Sequence, residues 1–298
     1  MSISIATVNV NGIRAAFRKG MGEWLAERGP DIVLMQETRA PIEVVQGFFQ
    51  ESDGWHVAVQ PCEIKGRAGV AIASKLPIIE SRTGLAAYQL PSVEEGRMPR
   101  LETTAAPDAI TAPQSEPPVD TGRWIEADFE LPNGTPLTAV SVYFHSGTNT
   151  PELIHTMHAK YAHLDKADKR LKELYAKAHP VIVAGDFNIA HQNNDIANWK
   201  GNKNSAGFLP EERAYLTKWF GADGWTDLGR HHAGDVEGPY TWWSWRGQAF
   251  TNDRGWRIDY HAANQPAAAA TQQVIVDRHP TYEQRWSDHA PVIAELNL

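Results

Sequence analysis

Short apolar runs alternate with polar punctuation along most of this chain, and the runs have two periods. Ile3-Ser4-Ile5-Ala6-Thr7-Val8-Asn9 alternates apolar with small or polar residues, the period of a strand. Ile32-Val33-Leu34-Met35 is apolar throughout, as in a strand covered on both faces. Between them a short helix is expected over Gly22–Arg28, stopped by Gly29-Pro30. Further strands are expected at 55–60, 68–74, 123–131, 137–144, 181–185, 239–245, 256–262, 272–277 and 289–296. In 151–178, Leu153, Met157, Tyr161, Leu164, Leu171, Leu174 and Tyr175 fall on helical spacing. They predict a long amphipathic helix with Pro151 in its first turn, where proline is tolerated. The alanine run at 266–270 is too short to carry a signal.

Residues 91–122 break this grammar. They hold Pro91, Pro99, Pro107, Pro113, Pro117 and Pro118, several acids and little apolar periodicity. Such a stretch is expected to be a mobile loop inserted between strands. Strands of the same kind flank it, so residues 1–298 are expected to form one domain.

Composition narrows the class. With 298 residues, 42% hydrophobic and 21% charged, the chain has material for one large α/β core, and global disorder is excluded. No run approaches the ~18 apolar residues of a membrane span. The opening MSISIATVNVN has no basic start or cleavage site of a secretory leader, so a soluble cytoplasmic protein is expected. Cys62 is the single cysteine, which excludes an intramolecular disulfide framework and a multi-cysteine zinc site. A net charge of −8 argues against a basic nucleic-acid coat, but not against an enzyme that meets phosphates through a metal ion.

The phosphate-binding loop, the H-E-x-x-H pair and the G-x-S-x-G elbow are all missing. Gly20-x-Gly22 has no third glycine and reads as a helix-entry turn. His155, His158 and His163 share the long helix, but no carboxylate on that face completes a metal site. Candidate chemistry gathers instead at strand ends. Val8 runs into Asn9 and Asn11, Met35 into Gln36-Glu37, and Gly185 into Asp186-Phe187-Asn188. Ile258 runs into Asp259, and Trp286-Ser287 into Asp288-His289. Each has an ordinary explanation alone, as a turn, a cap or a solvated loop charge. Together these strand ends would bring carboxylates, amides and a histidine to one place. Hard oxygen ligands of that kind suit Mg²⁺ or Mn²⁺ better than zinc.

Five segments resemble the exonuclease III family of AP endonucleases and exodeoxyribonucleases, within the endonuclease/exonuclease/phosphatase superfamily. They are Thr7-Val8-Asn9-Val10-Asn11-Gly12-Ile13-Arg14-Ala15, Gln36-Glu37-Thr38-Arg39, Gly185-Asp186-Phe187-Asn188-Ile189-Ala190, Gly255-Trp256-Arg257-Ile258-Asp259-Tyr260 and Ser287-Asp288-His289-Ala290-Pro291. They occur in family order across nearly the whole chain and leave 91–122 unmatched. The resemblance implies a four-layer α/β sandwich of the deoxyribonuclease I type, two packed β-sheets flanked by helices. It also implies a Mg²⁺-dependent DNA phosphodiesterase of base-excision repair, with Mn²⁺ able to substitute. Such an enzyme cuts 5′ to abasic sites in double-stranded DNA and removes 3′ nucleotides or blocking groups, and is expected here as a monomer without membrane partners.

Carried over by position, the resemblance makes Glu37 the main metal ligand with Asn9 beside it, and Asp288 near a second metal position. Asp186 orients or deprotonates the attacking water, Asn188 helps hold it, and both border the metal. His289, oriented by Asp259, reaches the scissile phosphate and the metal's surroundings, and Tyr143 reaches the same phosphate. Trp242, Trp256 and Ile258 match an apolar pocket for a flipped abasic sugar. Asn11, Arg14, Arg39, Lys200 and Asn202 are expected to face DNA. Eight of the 11 tryptophans lie after residue 198, which concentrates aromatic surface in this part of the chain. For Trp243 a place in a core strand is an equally good reading. Departures from the family pattern, at His145-Ser146-Gly147 and Arg39, touch DNA grip rather than the metal centre. Two other classes stay open from the residues alone. One is the same hydrolysis on a phosphoinositide or other small phosphodiester, and the other is a non-enzymatic DNA-binding module.

Overall fold

The computed structural model describes residues 2–85 and 121–298. The expected insertion at 91–122 therefore lies outside the described residues, except for Thr121 and Gly122. One six-stranded sheet is built from β1 (Ser2–Asn9), β2 (Ile32–Gln36), β3 (His56–Gln60), β4 (Val70–Ser74), β11 (Thr271–Val276) and β12 (Val292–Asn297). Its order is β11-β12-β1-β2-β4-β3, with β1 and β2 parallel. The second contains β5 (Glu80–Thr83), β6 (Trp124–Glu130), β7 (Pro136–Tyr143), β8 (Val181–Asp186), β9 (Thr226–Asp227) and β10 (Asp259–Ala263). Its order is β5-β6-β7-β8-β10-β9, and β7 runs parallel to β8.

Side-chain alternation explains why the central strands are apolar throughout. Ile3 and Ile5 of β1, Ile32 and Leu34 of β2, and Ile182 and Ala184 of β8 point into the core between the sheets. Their neighbours Ala6, Val8, Val33 and Met35 point the other way, under α1 (Ile13–Arg18), α2 (Met21–Arg28) and α3 (Ile42–Phe48). Val181 and Val183 likewise meet Leu164, Leu171 and Leu174 of α4 (Ile154–Tyr175) and Leu216 and Trp219 of α6 (Pro210–Trp219). The result is helix, sheet, sheet, helix, the expected four layers. Pro151–Leu153 forms a 3₁₀ turn that leads into α4. Among the described residues no helix is long and apolar enough to cross a membrane.

The apolar sandwich carries a polar seam near one edge. Gln36 Nε2 donates to Ser141 Oγ at 2.9 Å, and Ser141 Oγ donates to Met35 O at 2.9 Å, so β2 and β7 of opposite sheets are tied together. Apolar contacts tolerate sliding, whereas a buried hydrogen bond has one geometry and an unmade one costs ~1–3 kcal/mol.

Several elements differ from expectation. Segment 239–245 is not a strand, because it pairs only through isolated bridges of Trp242 to Trp256 and His289. Its Thr241 hydroxyl is occupied with backbone N–H groups of Ile258 and Asp259, which takes the place of a ladder. The expected strand at 256–262 accordingly begins only at Asp259. The alanine run forms α8 (Gln265–Ala270), capped by the Asn264 side chain accepting from Ala267 N. Unexpected from the pattern are α1, α3, α6, α5 (Trp199–Asn202) and α7 (Leu228–Ala233), all short, and the edge strands β5 and β9. His163 is buried in ring contact with Phe144 and His145, so its place is in the core.

One glycine is demanded by strand spacing. Gly185 has φ +151°, and a Cβ there would lie 1.9 Å from Val142 O on the neighbouring parallel strand. Gly185→Ala is therefore expected to lower stability by about 3 kcal/mol or more, read as a lower urea midpoint. An unchanged midpoint would show that β7 and β8 can separate without cost.

Candidate active site

The strand ends do meet. β1 and β2 of one sheet and β8 of the other end, and β10 begins, at the same edge, and the loops there surround a cleft of ≈ 410 Å³. Asn11, Glu37, Arg39, Tyr143, Asp186, Asn188, Trp242, Trp256, Ile258, Asp288 and His289 all line it. Asn9 and Asp259 sit just behind the wall, fully or almost fully buried. Arg14 and Lys200 lie exposed on α1 and α5, away from the lining, with Lys200 Nζ 5.6 Å from the Trp199 ring. Asn202 spends its amide on Ala197 O and Asn198 O inside its own turn.

Asn9 is the centre of the acidic part. Its Nδ2 donates to Glu37 Oε1 and to Asp186 Oδ2, each at 2.9 Å, and its Oδ1 accepts from Asn11 N. One amide therefore spaces two carboxylates that come from different sheets. Asp186 is held further by Asn188, whose backbone N–H donates to Oδ1 at 2.9 Å and whose Nδ2 donates to Oδ2 at 3.1 Å. Burial pushes the Asp186 carboxyl up to about 7, with Asp259 and Glu37 pushing the same way and His289 and Asn9 opposing. Glu37 keeps part of its surface in the cleft and is met by the Arg39 guanidinium.

Opposite stands a histidine backed by an acid. His289 Nδ1–H donates to Asp259 Oδ2 at 2.8 Å, and Nε2 lies 3.8 Å from Asp186 Oδ2. Asp259 Oδ2 also accepts from Thr241 Oγ1 at 2.6 Å, which fixes the carboxylate. Burial alone would lower the imidazole, but Asp259, Asp186 and Asp288 outweigh it and raise His289 to about 10. With Nδ1 turned to Asp259, Nε2 is the ring nitrogen left facing Asp186 and the cleft. Tyr143 stays protonated, because burial and the charges of Glu37 and Asp186 raise its hydroxyl well above the ordinary range. Arg123 stacks over its ring at 4.8 Å.

The third part is apolar. Trp242 and Trp256 meet edge to face with centroids 6.1 Å apart, and both pack on a cluster of Ala190, Ile196, Phe208 and Ile258. Trp242 Nε1 donates to Asp288 Oδ2 at 3.1 Å, while Asn11 Nδ2 donates to Asp288 Oδ1 at 2.8 Å. Asp288 thus links the acidic part to the aromatic recess with both oxygens engaged. Trp243 is buried and donates to Asp253, so its place is in the core.

Several residues sharpen this geometry without a local signal in the sequence. Thr241 lies 18 positions from the Asp259 it orients, and Ser287 reaches back to Asn9 O at 2.6 Å. Four lining residues hold positive φ although they are not glycine: Asn11 (47°), Glu37 (51°), Arg39 (49°) and Asn188 (53°). Each such conformation costs of order 1–3 kcal/mol and gathers at sites where the surroundings enforce it. The donor set fits a hard divalent cation. Glu37 and Asp186 offer carboxylate oxygens around one Asn9 amide, and among the described residues no group of three or more His, Cys, Asp and Glu is gathered so as to hold a metal ion by itself. That suits a cation held by one or two carboxylates and completed by water or phosphate oxygens.

The family model for the endonuclease/exonuclease/phosphatase family matches residues 6–289. An exodeoxyribonuclease of Bacillus subtilis is 32% identical over 291 residues, covering 97% of this chain and 98% of that protein. The DNA repair nuclease APEX1 of Danio rerio is 26% identical over 295 residues, 98% of this chain and 81% of its own length. Among solved structures, an AP endonuclease from Archaeoglobus fulgidus superposes with TM-score 0.76 at 26% identity, covering 99% of this chain and all of that one. The fold is also that of a 3′ phosphatase from Neisseria bound to product DNA hairpin, with TM-score 0.78 at 24% identity over 99% of this chain and 100% of that one.

Removing the acid behind the histidine gives a signed prediction. Because the His289 folded value of about 10 lies above the ordinary 6.5, its stabilising contribution is whole below pH 6.5 and is lost as pH rises through about 10. In Asp259→Asn, an NMR titration is expected to show the imidazole deprotonating at clearly lower pH than in the wild type. Equal titration curves would mean that Asp259 does not hold the proton.

Proposed function

From membership in the endonuclease/exonuclease/phosphatase family, to which this chain belongs, we propose that it is a DNA-repair hydrolase that cuts phosphodiester bonds 5′ to abasic sites and trims 3′ ends. The exodeoxyribonuclease and AP endonuclease relatives support nuclease action on DNA and disfavour a small phosphodiester as substrate. One observation carries the abasic-site part. The acid–histidine cluster and the Trp242–Trp256–Ile258 recess open into the same cleft. A sugar without its base enters such a recess at the least cost in lost stacking.

Members of this family are generally metal-dependent. In our reading the ion is Mg²⁺, with Mn²⁺ able to substitute, held by Glu37 and bordered by Asp186. When bound, it supplies Lewis-acid charge to the phosphoryl oxygens. The remaining work falls to the chain. Asp186, fixed by three N–H donors from Asn9 and Asn188, orients the attacking water and takes its proton. The His289 imidazolium and the Tyr143 hydroxyl donate to phosphate oxygens, a charge stabilisation of the kind whose loss costs ~100-fold or more in rate. Asn9, Asn188 and Asp288, expected around the metal, keep the carboxylates and Trp242 in place. Asn11 and Arg39 at the cleft, and Arg14, Lys200 and Asn202 further out, are assigned to the DNA backbone. The reading takes residues 1–298 as a single catalytic domain acting as a monomer. In support, the core between the sheets draws on residues from Ile3 to Leu296.

The decisive assay uses a labelled duplex with one abasic-site analogue. Wild-type protein with Mg²⁺ is expected to make one cut 5′ to the lesion. Chelator, Glu37→Ala and Asp186→Asn should each reduce it by about 100-fold or more. Trp242→Ala is expected to keep hydrolysis but lower the preference for abasic over intact duplex by roughly tenfold. Absence of lesion cleavage would reject the abasic-site reading, and absence of 3′-end trimming as well, with small phosphodiesters still hydrolysed, would reject DNA as the substrate.

A further inference from the structure

One fully buried cation outside the catalytic cluster reaches beyond the hydrophobic packing that surrounds it. Lys160 on α4 and Glu212 on α6 are both completely buried, with Nζ and Oε1 2.5 Å apart. The remaining hydrogen bonds of the pair go to loops. Nζ donates to Ser146 O at 3.1 Å and to Asn188 O at 2.8 Å, and meets Glu212 Oε1 as an ion pair. Glu212 Oε2 accepts from Gly207 N at 2.7 Å and Leu209 N at 3.0 Å.

These loops are the ones that form the cleft. Ser146, Asn188 and Gly207 all line it, and they follow β7, follow β8 and precede α6 respectively. Asn188 holds Asp186. Gly207 backs the recess, where an added Cβ would stand 3.1 Å from the Trp256 ring. A buried ion pair is a poor way to gain stability, since desolvation consumes most of its attraction and an apolar pair often does as well. It is a good way to fix backbone, because every arm has one geometry.

We propose that Lys160 and Glu212 are positioning residues that clamp the three loops, so that the Asp186 end of the cleft and the Trp256 wall keep one mutual placement. The proposal rests on the DNA-hydrolase reading for its effect on rate, though not for the clamp itself. A misplacement of about 1 Å at reacting groups costs up to about 100-fold in rate.

The test is the double variant Lys160→Met/Glu212→Gln. It removes both charges together, and its new amide still accepts from Gly207 and Leu209. Expected are a melting temperature close to wild type, kcat on abasic duplex at least tenfold lower with KM little changed, and faster hydrogen exchange at the Asn188 amide. Wild-type kcat together with wild-type exchange at Asn188 would overturn the proposal and leave a pair that only compensates its own charges. If the variant does not fold, exchange in the wild-type protein decides. Gly207 and Leu209 amides as slow as those of β8 support the clamp, and fast exchange there overturns it. A wild-type protein that does not cut abasic DNA would sink the functional reading, while the exchange measurements would still judge the clamp.

Discussion

Two carboxylates from two different sheets sit either side of one amide, and the site is arranged around that fact. Asn9 ends β1 and Asp186 ends β8, so the bond between them spans the sandwich while Glu37 is held from the same nitrogen. Hydrogen bonds to charged groups are worth ~1.5–3 kcal/mol each, comparable to the cost of keeping two like charges near one another. The amide holds both carboxylates to one nitrogen, and Gln36, Ser141 and Ser287 tie the neighbouring strands and loops around it. Without the polar seam, an apolar interface would be free to shift by fractions of an ångström.

The loops that carry the remaining groups are strained and correspondingly well tied. Glu37 and Arg39 adopt left-handed backbone that ordinary side chains resist. Gly12 N bonds to Glu37 O, Ile13 N to Thr38 O, and Arg39 N to Ala68 O, so neighbouring segments hold the conformation from both sides. The gain is direction: Glu37 leaves a buried strand and turns into the cleft. His289 is aimed by a comparable chain, from Thr241 through Asp259 to the imidazole. Preorganisation of this sort places charge where it is needed before substrate arrives.

Much of the architecture was legible because it is written locally. The continuous apolar runs at 32–35 and 181–185 are central strands buried on both faces, and the 3.6-residue pattern in 151–178 is the long helix α4. The misread segment, 239–245, is rich in aromatics that suit a core strand equally well. Its Trp242 turns to the cleft and Trp243 to the core, while Thr241 replaces ladder bonds with side-chain ones. Short helices such as α1 and α6 escaped because fewer than three turns give too few positions for a period to emerge.

Sequence alone placed Asn9, Glu37 and Asp186 at the ends of β1, β2 and β8, because an apolar run broken by Asp, Glu or Asn is a local event, whereas Asp259 begins β10 and Asp288-His289 lie in the loop before β12. The motif likeness added an expected role for each. Tertiary structure decided which atoms of those groups meet. Asn9 turns its nitrogen, not its oxygen, to the carboxylates, and Asp288 gives its two oxygens to Asn11 and Trp242. His289 turns Nδ1 to Asp259, which raises its imidazole, and Lys160 donates to loop carbonyls. Such choices depend on burial and on partners up to 278 positions away in the chain, as between Ser287 and Asn9. Only when the two sheets close on each other do those distances and that loss of water come into being.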